Sequence, residues 1–116
     1  MMENALWMPR PSLAWSLLVV AGVLEVVWLV ALKRSESFAQ PAYGAISVVV
    51  AWLSFALLAV TMRAIPAGTA YAVWTGVGAA GGALAGILLF GESMNAVRLV
   101  SVGLIILGIA GVKLTQ

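Results

Sequence analysis

The sequence predicts an all-α membrane protein of four transmembrane helices, and three observations carry that prediction. The 116 residues are 64% hydrophobic and only 9% charged, with a mean hydropathy of +1.13. A soluble domain of this size needs a polar surface that such a composition does not supply. The apolar residues fall into four runs, at about 13–32, 42–62, 66–90 and 96–112. A helix rising ~1.5 Å per residue crosses a ~30 Å hydrocarbon core in about 20 residues, which these runs approach or exceed. The connections between runs are short, so consecutive helices must form antiparallel hairpins.

Each element has its own chemistry. Residues 1–12 form a polar and aromatic extension with Pro9 and Pro11, to which no function is assigned. Arg10 followed by apolar residues imitates a secretory signal, but the run continues through Val26, Val27, Leu29 and Val30 to Lys33, so it reads as a span that stays. Lys33-Arg34-Ser35-Glu36-Ser37 and then Pro41 separate the first and second spans. Arg63 and Pro66 separate the second and third, with Pro66 suited to a first helical turn. Gly91 is the expected stop of the third helix, and Ser93 or Asn95 the cap of the fourth. The fourth run is shortest and ends at Lys113, whose side chain can snorkel to the interface. Residues 13–116 thus read as one domain.

Composition also excludes several functions. The net charge of +2 and the dispersed basic residues do not make a nucleic-acid surface. With no Cys and no His, disulfides, thiol catalysis and the common zinc sites are excluded. No nucleophile–base pair, metal set or cofactor motif is evident, so an enzyme is not expected. Arg10, Arg63 and Lys113 fall on one side of the predicted topology, and Lys33, Arg34 and Arg98 on the other. Such a tie gives no orientation by the positive-inside rule. Either a weak bias escapes the rule, or the chain inserts both ways and two opposed copies pair.

Glu25 is the acidic residue inside an apolar run. A charge at that depth costs about 3 kcal/mol or more. Every basic residue lies at or near a span end, so a deep ion pair has no partner. A protonated Glu that only bonds a neighbouring helix remains one reading. The other is a site for a proton or a cation, because burial disfavours the carboxylate anion until a cation replaces the proton. Gly22 and Trp28 share the helical face of Glu25, Gly22 permitting close approach and Trp28 offering an indole N–H or a π face. In the third span Tyr71 and Trp74 share a face, as cavity lining or as interfacial anchors. Gly78, Gly82 and Gly86 recur every fourth residue, a small-residue packing stripe, and Gly76 adds to the tolerance for a bend. Ser54, mid-span, either bonds its own helix four residues back or orients Glu25. Glu25 is ~10 Å from the Lys33 end of its span, whereas Tyr71 and Trp74 are roughly 8–12 Å from the opposite end. An inverted partner would bring them level. The fourth span has no deep polar group, and Gly103, Leu104, Ile106, Leu107 and Gly111 read as dimer packing.

Two motifs carry a resemblance: Ala21-Gly22-Val23-Leu24-Glu25-Val26-Val27-Trp28 with Ala31-Leu32-Lys33, and the run Ile65-Pro66-Ala67-Gly68-Thr69-Ala70-Tyr71-Ala72-Val73-Trp74-Thr75-Gly76-Val77-Gly78. From about Trp15 to Lys113 the chain resembles the small multidrug resistance family of proton-coupled exporters. Trp28, and Gly91-Glu92-Ser93 after the third span, look like its guanidinium-exporter subtype. The resemblance implies a dual-topology antiparallel homodimer in a bacterial inner membrane, with guanidinium, protons, membrane lipid and a second copy of the chain as partners. Glu25 of both copies would bind proton or cation, Trp28 and Ser54 would orient it, Tyr71 and Trp74 would line the cavity, and Gly103 onward would form the dimer contact. The runner-up readings are a broad quaternary-ammonium exporter and a non-transporting membrane partner. The loop Phe38-Ala39-Gln40-Pro41 lacks a basic residue often found there in relatives, and residues 1–12 are additional.

Overall fold

The computed structural model describes residues 7–116, which form four helices: α1 (Pro11–Arg34), α2 (Pro41–Thr61), α3 (Ala67–Phe90) and α4 (Ala96–Leu114). All four are long and apolar enough to span a bilayer, and there is no strand among the described residues. The chain is an all-α membrane protein.

Helix ends follow local chemistry. Pro11 opens α1 two residues before the apolar run, because its missing N–H falls where a helix has no partner for one. Lys33 and Arg34 close α1, where cations suit the helix dipole. Pro66 is not in the first turn of α3 but precedes it as the cap, with ψ 140°; its extended ψ keeps it outside the helix. Gly91 ends α3 in the left-handed region at φ 65°, and the Asn95 side chain accepts the Arg98 N–H at 2.9 Å to start α4.

The α1–α2 connection is unusual in that Glu36, Ser37 and Phe38 have φ of 52°, 59° and 68°. Each left-handed non-glycine residue costs roughly 1–2 kcal/mol. Buried Ser35 offsets this: its hydroxyl donates to the Leu32 carbonyl at 2.6 Å and accepts the Phe38 N–H at 3.1 Å, and its carbonyl accepts the Gln40 N–H at 2.8 Å.

In the packing, α1 lies between α2 and α3, while α4 packs along α3 and reaches α1 only through Lys113, whose ammonium lies over the Trp15 ring. The molecule is only 17 Å deep in its thinnest direction, so it is a slab with little interior. Its core of Ala14, Leu18, Leu58, Ile65, Ala70 and Val73 sits at the end where α1 and α3 begin and α2 finishes. On α4 only Val102 is buried.

Two interhelical devices set the register. Ser47 and Ser54, one heptad apart on α2, donate to the carbonyls of Trp28 (3.2 Å) and Ala21 (2.7 Å), one heptad apart on α1. Between the parallel helices α1 and α3, small positions receive large ones. Glu25 lies against Gly78, Val26 against Gly81 and Leu29 against Gly82, while Val77 lies against Gly22. α3 runs without interruption, and its remaining paired glycines face α4 and the following loop: Gly76 meets Ile105 and Ile109, and Gly86 meets the Glu92 carboxylate.

Candidate functional site

The site is built where the α1–α3 glycine contacts meet the α1–α2 hydroxyl clamp. A Cβ on Gly78 would stand 2.6 Å from Glu25 Oε1 and 2.7 Å from Cδ, so the carboxylate occupies the space that the glycine leaves. Glu25 Oε1 is buried and has no hydrogen-bond partner among the described residues. The one ion pair among those residues is Glu92–Arg98, at the α3–α4 connection.

Glu25, Trp28, Leu29, Thr75, Gly78 and Ala79 line a cavity of about 220 Å³. Trp28 also lines a second cavity, of about 340 Å³, with Ala51, Trp52, Phe55 and Trp74. The first has a carboxylate and a threonine hydroxyl; the second is largely aromatic. The pair can take a cation whose charged end reaches Glu25. A planar cation rich in N–H donors can bond a carboxylate through two parallel hydrogen bonds. The π faces nearby suit any cation.

Behind this wall runs a relay of polar contacts. The Trp74 indole N–H donates to Ser54 Oγ at 3.0 Å, and the Ser54 hydroxyl donates to the Ala21 carbonyl at 2.7 Å. In an α-helix that carbonyl also faces the N–H of Glu25, four residues on. Ser54 therefore bonds neither its own helix nor the Glu25 carboxylate; it ties three helices together one turn from Glu25. Phe55 meets the edge of Trp74 at 6.4 Å between ring centroids, and Tyr71 leans on Trp74 at 5.8 Å.

The structure brings Glu25, Trp28 and Gly78 together, and Trp74 with Ser54. Tyr71 is 56% exposed on the outer side of Trp74 and lines neither cavity. Gly22 is buried beneath Val77 and also lines neither. Gly82 and Gly86 lie further along α3, and Gly103 and Gly111 have open space within this chain. Sequence reasoning did not single out Ser47, Thr75, Ala79, Trp52 or Phe55. The heptad spacing of Ser47 from Ser54 was the available signal for the first; Thr75 and Ala79 follow from the face of Gly78.

Residues 13–105 match the family model described as Small Multidrug Resistance protein. The chain belongs to the small multidrug resistance family. Among curated relatives, a protein named Guanidinium exporter from Escherichia coli is 52% identical over 103 residues, 89% of this chain and 98% of that protein. One of the same name from Yersinia pseudotuberculosis is 51% identical over 104 residues, 90% of this chain and all of that protein. Another from Salmonella typhimurium is 48% identical over 103 residues. With four apolar spans and this family, the small multidrug resistance chain is an integral protein of the bacterial inner membrane.

Proposed function

We propose that this protein is a proton-coupled antiporter that exports guanidinium and small substituted guanidinium cations by alternating access. The observation that carries the reading is the Glu25 carboxylate, lodged in the Gly78 notch with an unpartnered buried oxygen and a cavity before it. The names of the relatives support guanidinium as the cargo. In this mechanism Glu25 holds either a proton or the cation. An arriving guanidinium donates two N–H bonds to the carboxylate as the proton leaves, and a returning proton releases the cation. Trp28 bounds the cation on the α2 side, and the Trp74–Ser54–Ala21 relay keeps the turn before Glu25 fixed. No group needs to form a covalent bond, so the reading is a transporter and not an enzyme.

The assembly proposed is an antiparallel homodimer. Its supports are the charge tie, the 17 Å slab and the exposed apolar face of α4, with Val97, Val100, Leu104 and Leu107 all more than 60% exposed. Opposed copies in different conformations exchange inward and outward access when they swap. Export of quaternary ammonium compounds is a second reading, favoured by the aromatic cavity of Trp28, Trp52, Phe55 and Trp74.

The test is uptake into proteoliposomes of purified protein. A pH gradient should drive guanidinium movement in the wild type and fail to drive it in Glu25→Gln. Coupled transport at the wild-type rate in Glu25→Gln would overturn the reading, and tetraethylammonium preferred over guanidinium would shift it to the second.

A further inference from the structure

A cavity of about 720 Å³, larger than either beside Trp28, opens at the C-terminal end of α1, one turn beyond Trp28. It is lined by Lys33 and Arg34, by Glu36 and Ser37 in the left-handed turn, by Gln40 and Tyr43 at the start of α2, and by Leu32 and Phe90. Two basic side chains there stand against one acidic one.

Most other basic side chains of the described residues are engaged. Arg63 donates to the Trp7 carbonyl at 2.9 Å, Arg98 pairs with Glu92, and Lys113 lies 5.2 Å from the centre of the Trp15 ring. Lys33 and Arg34 form no ion pair or hydrogen bond through their side chains to any described residue, yet they sit adjacent on one cavity wall. The site also lies at a definite depth. It is bounded by the last turn of α1, the first turn of α2 and the last residue of α3, where the chain leaves the hydrocarbon. Tyr43 is at the level where tyrosine usually meets headgroups. Leu32 and Phe90 close the membrane-facing part with apolar surface.

We propose that this cavity binds the phosphate-bearing headgroup of an anionic phospholipid. The Arg34 guanidinium and Lys33 ammonium take the phosphate oxygens. Tyr43 and Gln40 supply neutral donors to the headgroup, while Leu32 and Phe90 meet the first carbons of the acyl chains. Glu36 opposes binding and sets a preference for a compact headgroup that keeps clear of it. The turn built on Ser35 holds Glu36 and Ser37 as a fixed wall. Binding here does not require Glu25, so it stands or falls apart from cation transport.

The test titrates dihexanoyl phosphatidylglycerol into the full protein in a neutral detergent, read by native mass spectrometry and ³¹P line broadening. Parallel arms use dihexanoyl phosphatidylcholine and inorganic phosphate. The expected result is saturable binding of the glycerol lipid at least tenfold tighter than either control, weakened tenfold or more in Lys33→Gln/Arg34→Gln and less in Tyr43→Phe. Should the double variant elute as aggregate, the single variants Lys33→Gln and Arg34→Gln must each weaken binding several-fold. Equal binding of both lipids, or variants that bind as well as the wild type, overturns the site. Inorganic phosphate binding as tightly as the glycerol lipid overturns the lipid as its occupant.

Discussion

Gly78 carries no side chain where the Glu25 carboxylate rests on α3, and that absence makes a direct prediction. Gly78→Ala puts a Cβ 2.6 Å from Oε1, so the carboxylate must turn away or the helices must part. Overpacking of this kind costs about 1–3 kcal/mol. Guanidinium flux in proteoliposomes should fall at least tenfold with a raised KM, while helical circular dichroism and a single elution peak persist; wild-type flux would show that the notch is not used. Glu25 was legible in the sequence because a charge in an apolar run is conspicuous at any register. The partner of Ser54 was not. Exposed Ser16 and Ser101 bond the carbonyl four residues back on their own helices, Ser12 and Val97. Buried Ser47 and Ser54 instead cross to α1. The choice depends on which helix lies alongside, and a single sequence does not state that.

Among the elements, α1 and α2 are joined by two hydroxyl–carbonyl bonds of unequal weight. Removing the Ser54 hydroxyl loses its bond to Ala21 and also leaves the Trp74 N–H without its acceptor. The expected loss is about 1–3 kcal/mol. Ser47→Ala loses one bond to a carbonyl that keeps its helical partner, about 0.6 kcal/mol on the scale of membrane side-chain bonds. Reversible unfolding in mixed micelles should therefore rank Ser54→Ala well below Ser47→Ala, and the reverse order would contradict the relay. The four spans were legible because hydropathy over a bilayer thickness is a strong signal. Their ends were less so: Pro11 begins a helix before the apolar run, whereas Pro66 stays outside one. A proline fits either place, and packing of the flanking chain decides.

The whole molecule is a slab whose core occupies one end, and α4 is attached along one side only. Two opposed copies would cover the exposed α4 faces and bring both Glu25 carboxylates to a shared space. The sequence contains no Cys, so Ser37→Cys introduces a unique label on the α1–α2 loop. In intact cells, a membrane-impermeant maleimide should modify about half of the Ser37→Cys protein and the rest only after lysis. Complete labelling, or none, from outside would mean one orientation and would sink the antiparallel pair.

The glycines also divide into two sets with different evolutionary freedom. A side chain at Gly78 or Gly81 collides with α1 inside the same chain, whereas Gly103, Gly108 and Gly111 have nothing within 4 Å. In a saturation library selected for growth on guanidinium, the first set should reject every larger residue whatever the assembly. Rejection at the second set has no cause within one chain, so a depleted stripe along α4 would trace the footprint of a second copy from growth counts alone.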